Sequence, residues 1–311
     1  MQLKRLLVGL KCAWRNYLGN SYLIVLSGWR DSDELNFGVG LAESWSQQIF
    51  VSLPNREQPT LWAKSRVSMC TNYRPTAIEA FRSGALEDIR ETKIQFKTEV
   101  FPNDIAPIIR LNQGTAEDGG DAEWKGARFG LVPFWAKDDQ VAKLGRMAYN
   151  SRTESVSSKP MFRGAWRNRQ FCLIPTDAFY EPNWESGKAV RWRIEMASHE
   201  PFAIGGIWES HGKGETYFES FSMLTINADA HAVMNHFHKP GDEKRMPVII
   251  EPENYLKWLT ASTETAAQFF RPFSPDLMTA KPEPLAPRSA KLAKPRAKET
   301  ADEMKSINDL F

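Results

Sequence analysis

The dipeptide Met69-Cys70 is the feature of this sequence that offers the most distinctive chemistry. If Cys70 becomes the first residue of the mature chain, it carries a free α-amine and a thiol. An α-amine has an ordinary pKa of about 8, so part of it is neutral and nucleophilic at neutral pH. The amine can condense with an aldehyde to a Schiff base, and the thiol can then close a five-membered thiazolidine ring. An internal cysteine cannot do this, because its nitrogen belongs to an amide.

Proton transfer for such a reaction points to Glu181 and to one of two histidines. Glu181 follows the apolar pair Phe179-Tyr180, and a carboxyl group there is a candidate acid or base. Histidine titrates near neutral pH, so His238 and His236 are both candidates, and an extended chain would place them on the same side. A metal site formed by His236, His238 and Asp242 is an alternative on ligand type, although no other His or Cys cluster supports it.

Two further groups of residues could bind a polyanion. Asn150 and Arg152 are two residues apart, so both lie on one face of an extended segment, and Arg152 could bind a phosphate bidentately. Basic and aromatic residues follow in a stretch that could hold a single strand of nucleic acid or form a solvated helix face. These residues are Arg163, Trp166, Arg167 and Arg169. Trp135, in a separate turn at the end of a strand, is a candidate stacking or wedge residue for an unpaired base.

Composition places few limits on function. The chain has 311 residues, of which 42% are hydrophobic and 25% charged, as in ordinary globular proteins. A net charge of +2 is too small to demonstrate nucleic-acid binding, so any DNA contact requires a local basic cluster. Cys12, Cys70 and Cys172 show no CxxC pairing, which indicates a reducing compartment. The apolar runs near the start are too short to span a bilayer, so we expect no membrane association.

The elements that must position these residues are mostly short strands. Several apolar or alternating runs between residues 128 and 250 predict strands, and a helix begins at Pro252. Because these elements show no regular βαβ alternation, we predict an α+β fold, a single domain built on a curved mixed β-sheet or partial barrel with short flanking helices. Residues 69–272 form the predicted catalytic domain, and residues 273–311 a disordered tail rich in Pro, Ala and Lys. Residues 1–68, with no sustained period after residue 30, are interpreted as an over-extended gene model or a removed leader rather than a further domain.

Four ordered segments resemble one protein family. They are Gly130-Leu131-Val132-Pro133-Phe134-Trp135-Ala136, Asn150-Ser151-Arg152-Thr153-Glu154, the run from Cys172 to Glu181, and His238 followed by Arg245-Met246-Pro247-Val248-Ile249-Ile250. They are similar to the motifs of the SRAP family (SOS response-associated peptidase), whose members shield abasic sites in single-stranded DNA. The resemblance runs from Met69 to about Pro272. It departs from the family at Pro182, where a tryptophan is usual, and in the insertion Lys239–Lys244.

The resemblance implies a catalytic set of Cys70, Asn150, Glu181 and His238, and it favours His238 over His236 because an apolar residue, Phe237, comes before it. It implies an abasic-site processing enzyme of the DNA damage response that forms a covalent thiazolidine link to single-stranded DNA. It also implies a peptidase activity that removes the residues before Cys70. A cysteine peptidase acting on other proteins and a non-covalent DNA-binding module are the alternatives.

The same resemblance shapes the expected partners. We expect no cofactor and no metal, a monomer, and a cytoplasmic location near the nucleoid and replication forks. The final Asp309-Leu310-Phe311 resembles sliding-clamp-binding peptides, although the usual leading glutamine is absent. Such a peptide on a tether would raise the local concentration at forks.

Overall fold

The computed structural model describes the backbone of residues 6–17, 20–31 and 34–41, and residues 71–81, 86, 89–112, 121–285 and 310–311 with their side chains. Met69 and Cys70 lie outside the described residues. The chain forms two compact units, Met1–Lys64 and Ser65–Phe311.

The first unit contains a three-stranded antiparallel sheet. Its strands are β1 (Leu6–Tyr17), β2 (Asn20–Asp31) and β3 (Glu34–Leu41), in that order across the sheet. The prediction that no sustained strand period follows residue 30 was wrong for β3. Leu35, Phe37, Val39 and Leu41 alternate there with polar residues and glycines, which is a strand pattern.

The second unit is mostly β-structure. Its strands are β4 (Tyr73–Pro75), β5 (Ile89–Glu91), β6 (Ile105–Leu111), β7 (Ala122–Phe129), β8 (Asn150–Arg152), β9 (Phe171–Asn183), β10 (Val190–Met196), β11 (Phe202–His211), β12 (Phe218–Asn227), β13 (Arg245–Pro247), β14 (Ile249–Ile250) and β15 (Met278–Pro282). Its helices are short: α1 (Ile78–Phe81), α2 (Val141–Gly145), α3 (Arg163–Arg167) and α4 (Tyr255–Leu259). Within the described residues, no helix has the length and apolar character needed to cross a bilayer.

Five of these strands close into a barrel. The order is β11, β12, β7, β6 and β9, and β9 pairs again with β11. The pairing of β12 with β7 is parallel and the other barrel pairings are antiparallel, so the sheet is mixed. The prediction of an α+β fold on a curved mixed sheet is therefore confirmed.

Close contact between strands fixes the barrel at Gly206 of β11. A Cβ atom built there would lie 2.7 Å from Ile174 Cδ1 and 2.8 Å from the Ser222 carbonyl oxygen. Only glycine allows β9, β11 and β12 to approach this closely. Beside it, the buried Trp258 of α4 donates from Nε1 to the Cys172 carbonyl at 2.9 Å and so ties the helix to β9.

β9 is the longest described strand of this unit, and it belongs both to the barrel and to the part of the same sheet that lies beyond it. Residues 171–176 pair with β11 in the barrel, whereas residues 179–183 pair with β10 beyond it. β4 pairs antiparallel with the middle of β9, from Pro75 opposite Thr176 to Tyr73 opposite Phe179. β9 therefore leaves the barrel with β4 paired along residues 176–179 and β10 paired along residues 179–183.

The folded domain continues past the predicted boundary at residue 272. β15 pairs with β10 over five residue pairs, from Met196↔Met278 to Trp192↔Pro282. Residues 278–282 therefore belong to the sheet and not to a disordered tail. The Pro-rich composition that begins there concealed a short edge strand, a position where proline is tolerated.

Candidate active site

A carboxylate and an imidazole meet in the interior of the second unit. His238 Nε2 lies 3.2 Å from Glu181 Oε2, and both side chains are 1% exposed. Glu181 occupies the second half of β9, where it is paired with Trp192 of β10. Two groups that can each hold or release a proton are thus in direct contact away from water, an arrangement suited to general acid–base chemistry.

The segment that carries His238 is attached to the end of β9. The His238 backbone N–H donates to the Pro182 carbonyl at 2.9 Å, and Phe237 forms an isolated bridge with Asn183. Phe237 is buried, with its ring 6.0 Å from that of Trp192. These contacts place His238 beside Glu181.

His236 lies in a different environment. It ends a short 3₁₀-helix, Met234–His236, and its exposed ring places Nδ1 2.7 Å from Glu185 Oε1. The expectation that the two histidines share one side was wrong, because the chain is not uniformly extended and His238 has a φ of +63°. The two rings contact different carboxylates, and the described residues contain no group of three or more side chains arranged to hold a metal.

Asn150 and Arg152 lie on one face of β8, as their spacing predicted. β8 runs parallel to β12, and the intervening Ser151 is buried on the opposite face. Arg152 is more exposed and forms an ion pair from Nη1 to Glu243 Oε2 at 2.6 Å. Arg152 is therefore joined to the insertion that follows His238.

Glu243 is shared between two arginines. Its other oxygen, Oε1, accepts from Arg245 Nη1 at 2.8 Å and from Asn227 Nδ2 at 3.3 Å. Burial raises the pKa of Glu243, but the hydrogen bonds from Arg245 and Asn227 and the charges of Arg245 and Arg152 outweigh it, so that the pKa is lowered. Glu243 is thus held as a carboxylate next to Arg152.

The strand that follows Cys70 in sequence leads to the same region. Since β4 is antiparallel to β9, going back along the chain from Tyr73 corresponds to going forward along β9 from Phe179, toward Glu181. Thr71 and Asn72 are the first described residues of this segment. The position of Cys70 itself lies outside the described residues.

Sequence reasoning missed a polar network around Asn72. The Asn72 amide donates to Glu99 Oε1, which also accepts from Arg191 Nη2. The Arg191 guanidinium lies over the Tyr180 ring, 3.4 Å from its centroid. This network fixes the start of β4 to β10, and its only sequence signal is a polar residue two positions after Cys70.

The residues predicted to contact DNA divide into exposed and buried ones. Trp135 is 41% exposed, and the exposed Arg163 and Arg167 lie on α3. Trp166 is buried against Phe171 and Phe270, so the prediction that it belongs to an aromatic binding stretch was wrong. Ala165 and Trp166 are the buried residues of α3, whereas Arg163 and Arg167 are exposed.

α3 and the turn that carries Trp135 are neighbours. A Cβ atom at Gly164 would meet the ring of Phe134, which is 64% exposed. The exposed aromatic turn and the exposed arginines of α3 therefore belong to one surface region.

Cys172 lies in the core of this unit, and Leu310 and Phe311 pack against that core. Cys172 is buried, and burial together with the charge of Glu219 raises the pKa of its thiol well above the usual value, so it is a poor nucleophile. Leu310 and Phe311 lie against this unit: the Leu310 carbonyl accepts from the Met161 N–H at 3.3 Å, and the Phe311 ring is 5.9 Å from that of Phe162. Asp309 lies outside the described residues.

The fold and the buried pair define a class, namely β-barrel domains of α+β type with a carboxylate–imidazole pair at the end of a barrel strand. Comparison with known families identifies the family. The model of SOS response associated peptidases (SRAP) matches residues 66–283. The chain belongs to the SRAP family.

Related proteins agree with this assignment. The abasic site processing protein YoaM of Bacillus subtilis is 30% identical over 167 residues, which are 52% of this chain and 69% of YoaM. The abasic site processing protein HMCES of Gallus gallus is 24% identical over 213 residues, 60% of this chain and 61% of that protein. A protein from Bordetella bronchiseptica with a known crystal structure is 31% identical in sequence, and the match covers 70% of this chain and 100% of that one. The two structures superimpose with a TM-score of 0.62. The match spans about three fifths to two thirds of the two named relatives.

Proposed function

We propose that this chain captures abasic sites in single-stranded DNA by forming a thiazolidine between Cys70 and the sugar aldehyde. The observation that carries the proposal is the buried contact between Glu181 and His238 at the end of β9, to which the strand following Cys70 is paired. The named relatives are abasic site processing proteins, which supports the choice of substrate.

The proposed reaction balances as a condensation with loss of one water. The ring-opened abasic sugar presents an aldehyde at C1′. The Cys70 amine attacks this carbon, and loss of the hydroxyl as water gives an imine. The Cys70 sulfur then bonds to the same carbon, and the thiol proton goes to the nitrogen, which closes the ring.

Glu181 and His238 have complementary roles in this scheme. His238 donates a proton to the sugar ring oxygen as the ring opens, and Glu181 moves protons between the amine and the departing hydroxyl. The 3.2 Å contact between them lets one restore the protonation of the other. Asn150 orients the sugar or the amine with its amide.

DNA binding in this proposal comes from exposed residues. Arg152 binds a backbone phosphate, Arg163 and Arg167 add positive charge on α3, and Trp135 stacks on an unpaired base. The chain acts as a monomer in the cytoplasm, and Leu310 and Phe311 detach to bind the sliding clamp.

Removal of the residues before Cys70 is required for this chemistry. We propose that Cys70 and Glu181 also carry out that cleavage when a segment precedes Cys70. Intact mass of protein purified from its own source tests this, because the expected mass is that of a chain beginning at Cys70. A mass that retains the preceding residues in protein that still cross-links DNA contradicts the proposal.

A denaturing gel tests the main reaction. Protein beginning at Cys70 and protein with residues 1–69 retained are each incubated with single-stranded DNA that contains one abasic site, and with undamaged DNA of the same sequence. A covalent band is expected for the abasic strand only, and Cys70→Ser removes it. Cleavage of a test protein without cross-linking would indicate a peptidase for other proteins. Salt-sensitive binding that is lost on denaturation would indicate a non-covalent module.

A further inference from the structure

We propose that Lys244 is a positioning residue that holds His238 in contact with Glu181. This inference rests on the proposed function, in which His238 transfers a proton. His238 has a φ of +63°, in the left-handed region that residues other than glycine rarely adopt. Such a conformation persists when surrounding contacts hold it.

Contacts hold the backbone of His238 on both sides. Its N–H donates to the Pro182 carbonyl at 2.9 Å, which fixes it to β9. Its carbonyl accepts from Lys244 Nζ at 3.2 Å, and the same ammonium donates to the carbonyl of Lys239 at 3.2 Å. The Lys244 ammonium therefore holds two consecutive backbone carbonyls, those of His238 and Lys239.

Lys244 can act as a support because its own backbone is fixed. Its N–H donates to Asp229 Oδ1 at 2.8 Å, and its carbonyl accepts from the Ala228 N–H at 2.8 Å. The next residue, Arg245, begins β13 and is buried. The ammonium thus extends from the edge of the sheet toward His238.

The turn between the two residues is compact. The Asp242 N–H donates to the Lys239 carbonyl at 3.0 Å, and Gly241 has a φ of +86°. Lys239-Pro240-Gly241-Asp242 therefore has the hydrogen bond and the positive φ of a type II turn, with proline and glycine at their preferred positions. This turn returns the chain so that Lys244 faces the carbonyl of His238.

Loss of the ammonium should affect the chemical step more than DNA binding. Without it, the His238 backbone can relax, and the imidazole moves away from Glu181. A displacement of about 1 Å at a reacting group can cost on the order of 100-fold in rate. We expect Lys244→Met to lower the maximal cross-linking rate by at least about 10-fold.

Lys239→Met is the matched control. It removes the same charge from the same insertion, and the contact of Lys239 described above uses only its backbone carbonyl. Cross-linking of abasic single-stranded DNA is measured against DNA concentration, which separates the maximal rate from the half-saturating concentration. Lys244→Met should lower the maximal rate while its half-saturating concentration matches that of Lys239→Met, and Lys244→Arg should recover most of the rate.

The outcomes separate this inference from the proposed function. If wild-type protein forms no cross-link, the proposed function fails. If it cross-links, and Lys244→Met equals Lys239→Met or changes only half-saturation, the positioning role is wrong. The His238 ring resonances, assigned with His238→Gln, give a readout without DNA: they should shift in Lys244→Met and not in Lys239→Met. Lys244→Gln replaces Lys244→Met if the latter melts well below wild type.

Discussion

Glu243→Gln should tighten the binding of single-stranded DNA. In the free protein Arg152 Nη1 is paired with Glu243 Oε2 at 2.6 Å, and the two side chains are 43% and 32% exposed. If Arg152 binds a phosphate, as proposed, the phosphate must compete with this carboxylate. Replacing the carboxylate with an amide removes the competitor and keeps the side-chain shape.

Loss of the Glu243 carboxylate should affect Arg152 more than Arg245, because Arg245 has a second carboxylate partner. Arg245, which is buried, has its own partner, because its two terminal nitrogens lie 2.7 and 2.8 Å from the two oxygens of Glu154. Arg245 also donates to the Thr225 carbonyl at 2.6 Å. Glu243→Gln therefore leaves Arg245 with a bidentate carboxylate, and the charge left unbalanced is that of Arg152.

The size of the effect follows from the exposure of the pair. Ion pairs between exposed side chains contribute about 0.2–1 kcal/mol. Since about 1.4 kcal/mol corresponds to tenfold in affinity, release of Arg152 should lower Kd by about 1.4- to 5-fold. The gain should shrink as salt concentration rises, because salt screens both the ion pair and the phosphate contact.

Fluorescence anisotropy with a labelled abasic strand measures this change. Every variant is made in a Cys70→Ser background, so that covalent capture does not distort the equilibrium. Arg152→Gln should weaken binding, and Glu243→Gln should have no effect when Arg152 is already replaced. Asp242→Asn is the matched control, since it removes a nearby negative charge from the same insertion. A gain equal to that of Asp242→Asn, or one that persists without Arg152, would mean that Glu243 does not compete with DNA for Arg152.

Three further predictions concern the site and the core. Glu181→Gln and His238→Gln should each slow cross-linking by about 10²–10⁴-fold with Kd for DNA nearly unchanged, whereas His236→Gln should leave the rate as it is; single-turnover gels decide this. Glu219→Gln should lower the free energy of unfolding, measured in urea, by about 3 kcal/mol. The Glu219 and Arg110 side chains are 2% and 7% exposed, and the Glu219 oxygens accept from Arg110 Nη2 at 2.9 Å and Nε at 3.1 Å. An unchanged free energy of unfolding would contradict this prediction. Burial raises the pKa of Glu219, but Arg110 and neighbouring donors outweigh burial and lower it. The ionised Glu219 therefore contributes its full share of the folding free energy above the unfolded pKa of about 4.3, and this share is lost as pH falls through the lower folded pKa. The stability of Glu219→Gln should accordingly fall less steeply than that of wild type in this acid range.

The sequence predicted those parts of the structure that depend on local period. Alternation along β10 and the apolar run at the start of β9 indicated strands, and the two-residue spacing placed Asn150 and Arg152 on one face of β8. The predictions for β8 and β10 succeed because a strand has a fixed period of two, whereas the start of β9 was indicated by a continuous apolar run, typical of a strand buried on both faces. The closure of the barrel through β9 and β11 could not be predicted, since period says nothing about which strands pair.

The arrangement of the two histidines shows a second limit. His236 and His238 differ by two residues, and an extended chain would treat them alike. A 3₁₀-helix that ends at His236 and a positive φ at His238 send one ring to Glu185 and the other to Glu181. Tertiary contacts select this conformation, because the His238 N–H bonds to β9, a partner more than fifty residues earlier in the chain.

The length of β9 connects the barrel to the chemistry. Its first half needs glycine at position 206 of β11 to close the barrel, and its second half leaves the barrel and carries Glu181. β4 pairs with β9 where it leaves the barrel, at residues 176–179, β10 pairs with residues 179–183, and the end of β9 bonds the segment of His238. A β9 that ended with the barrel would lack Glu181 and the attachment of His238 together. Glu181, the attachment of His238 and the pairing of Tyr73 with Phe179 therefore all depend on the extension of β9 beyond the barrel. A change that shortens this extension should disrupt all three at once.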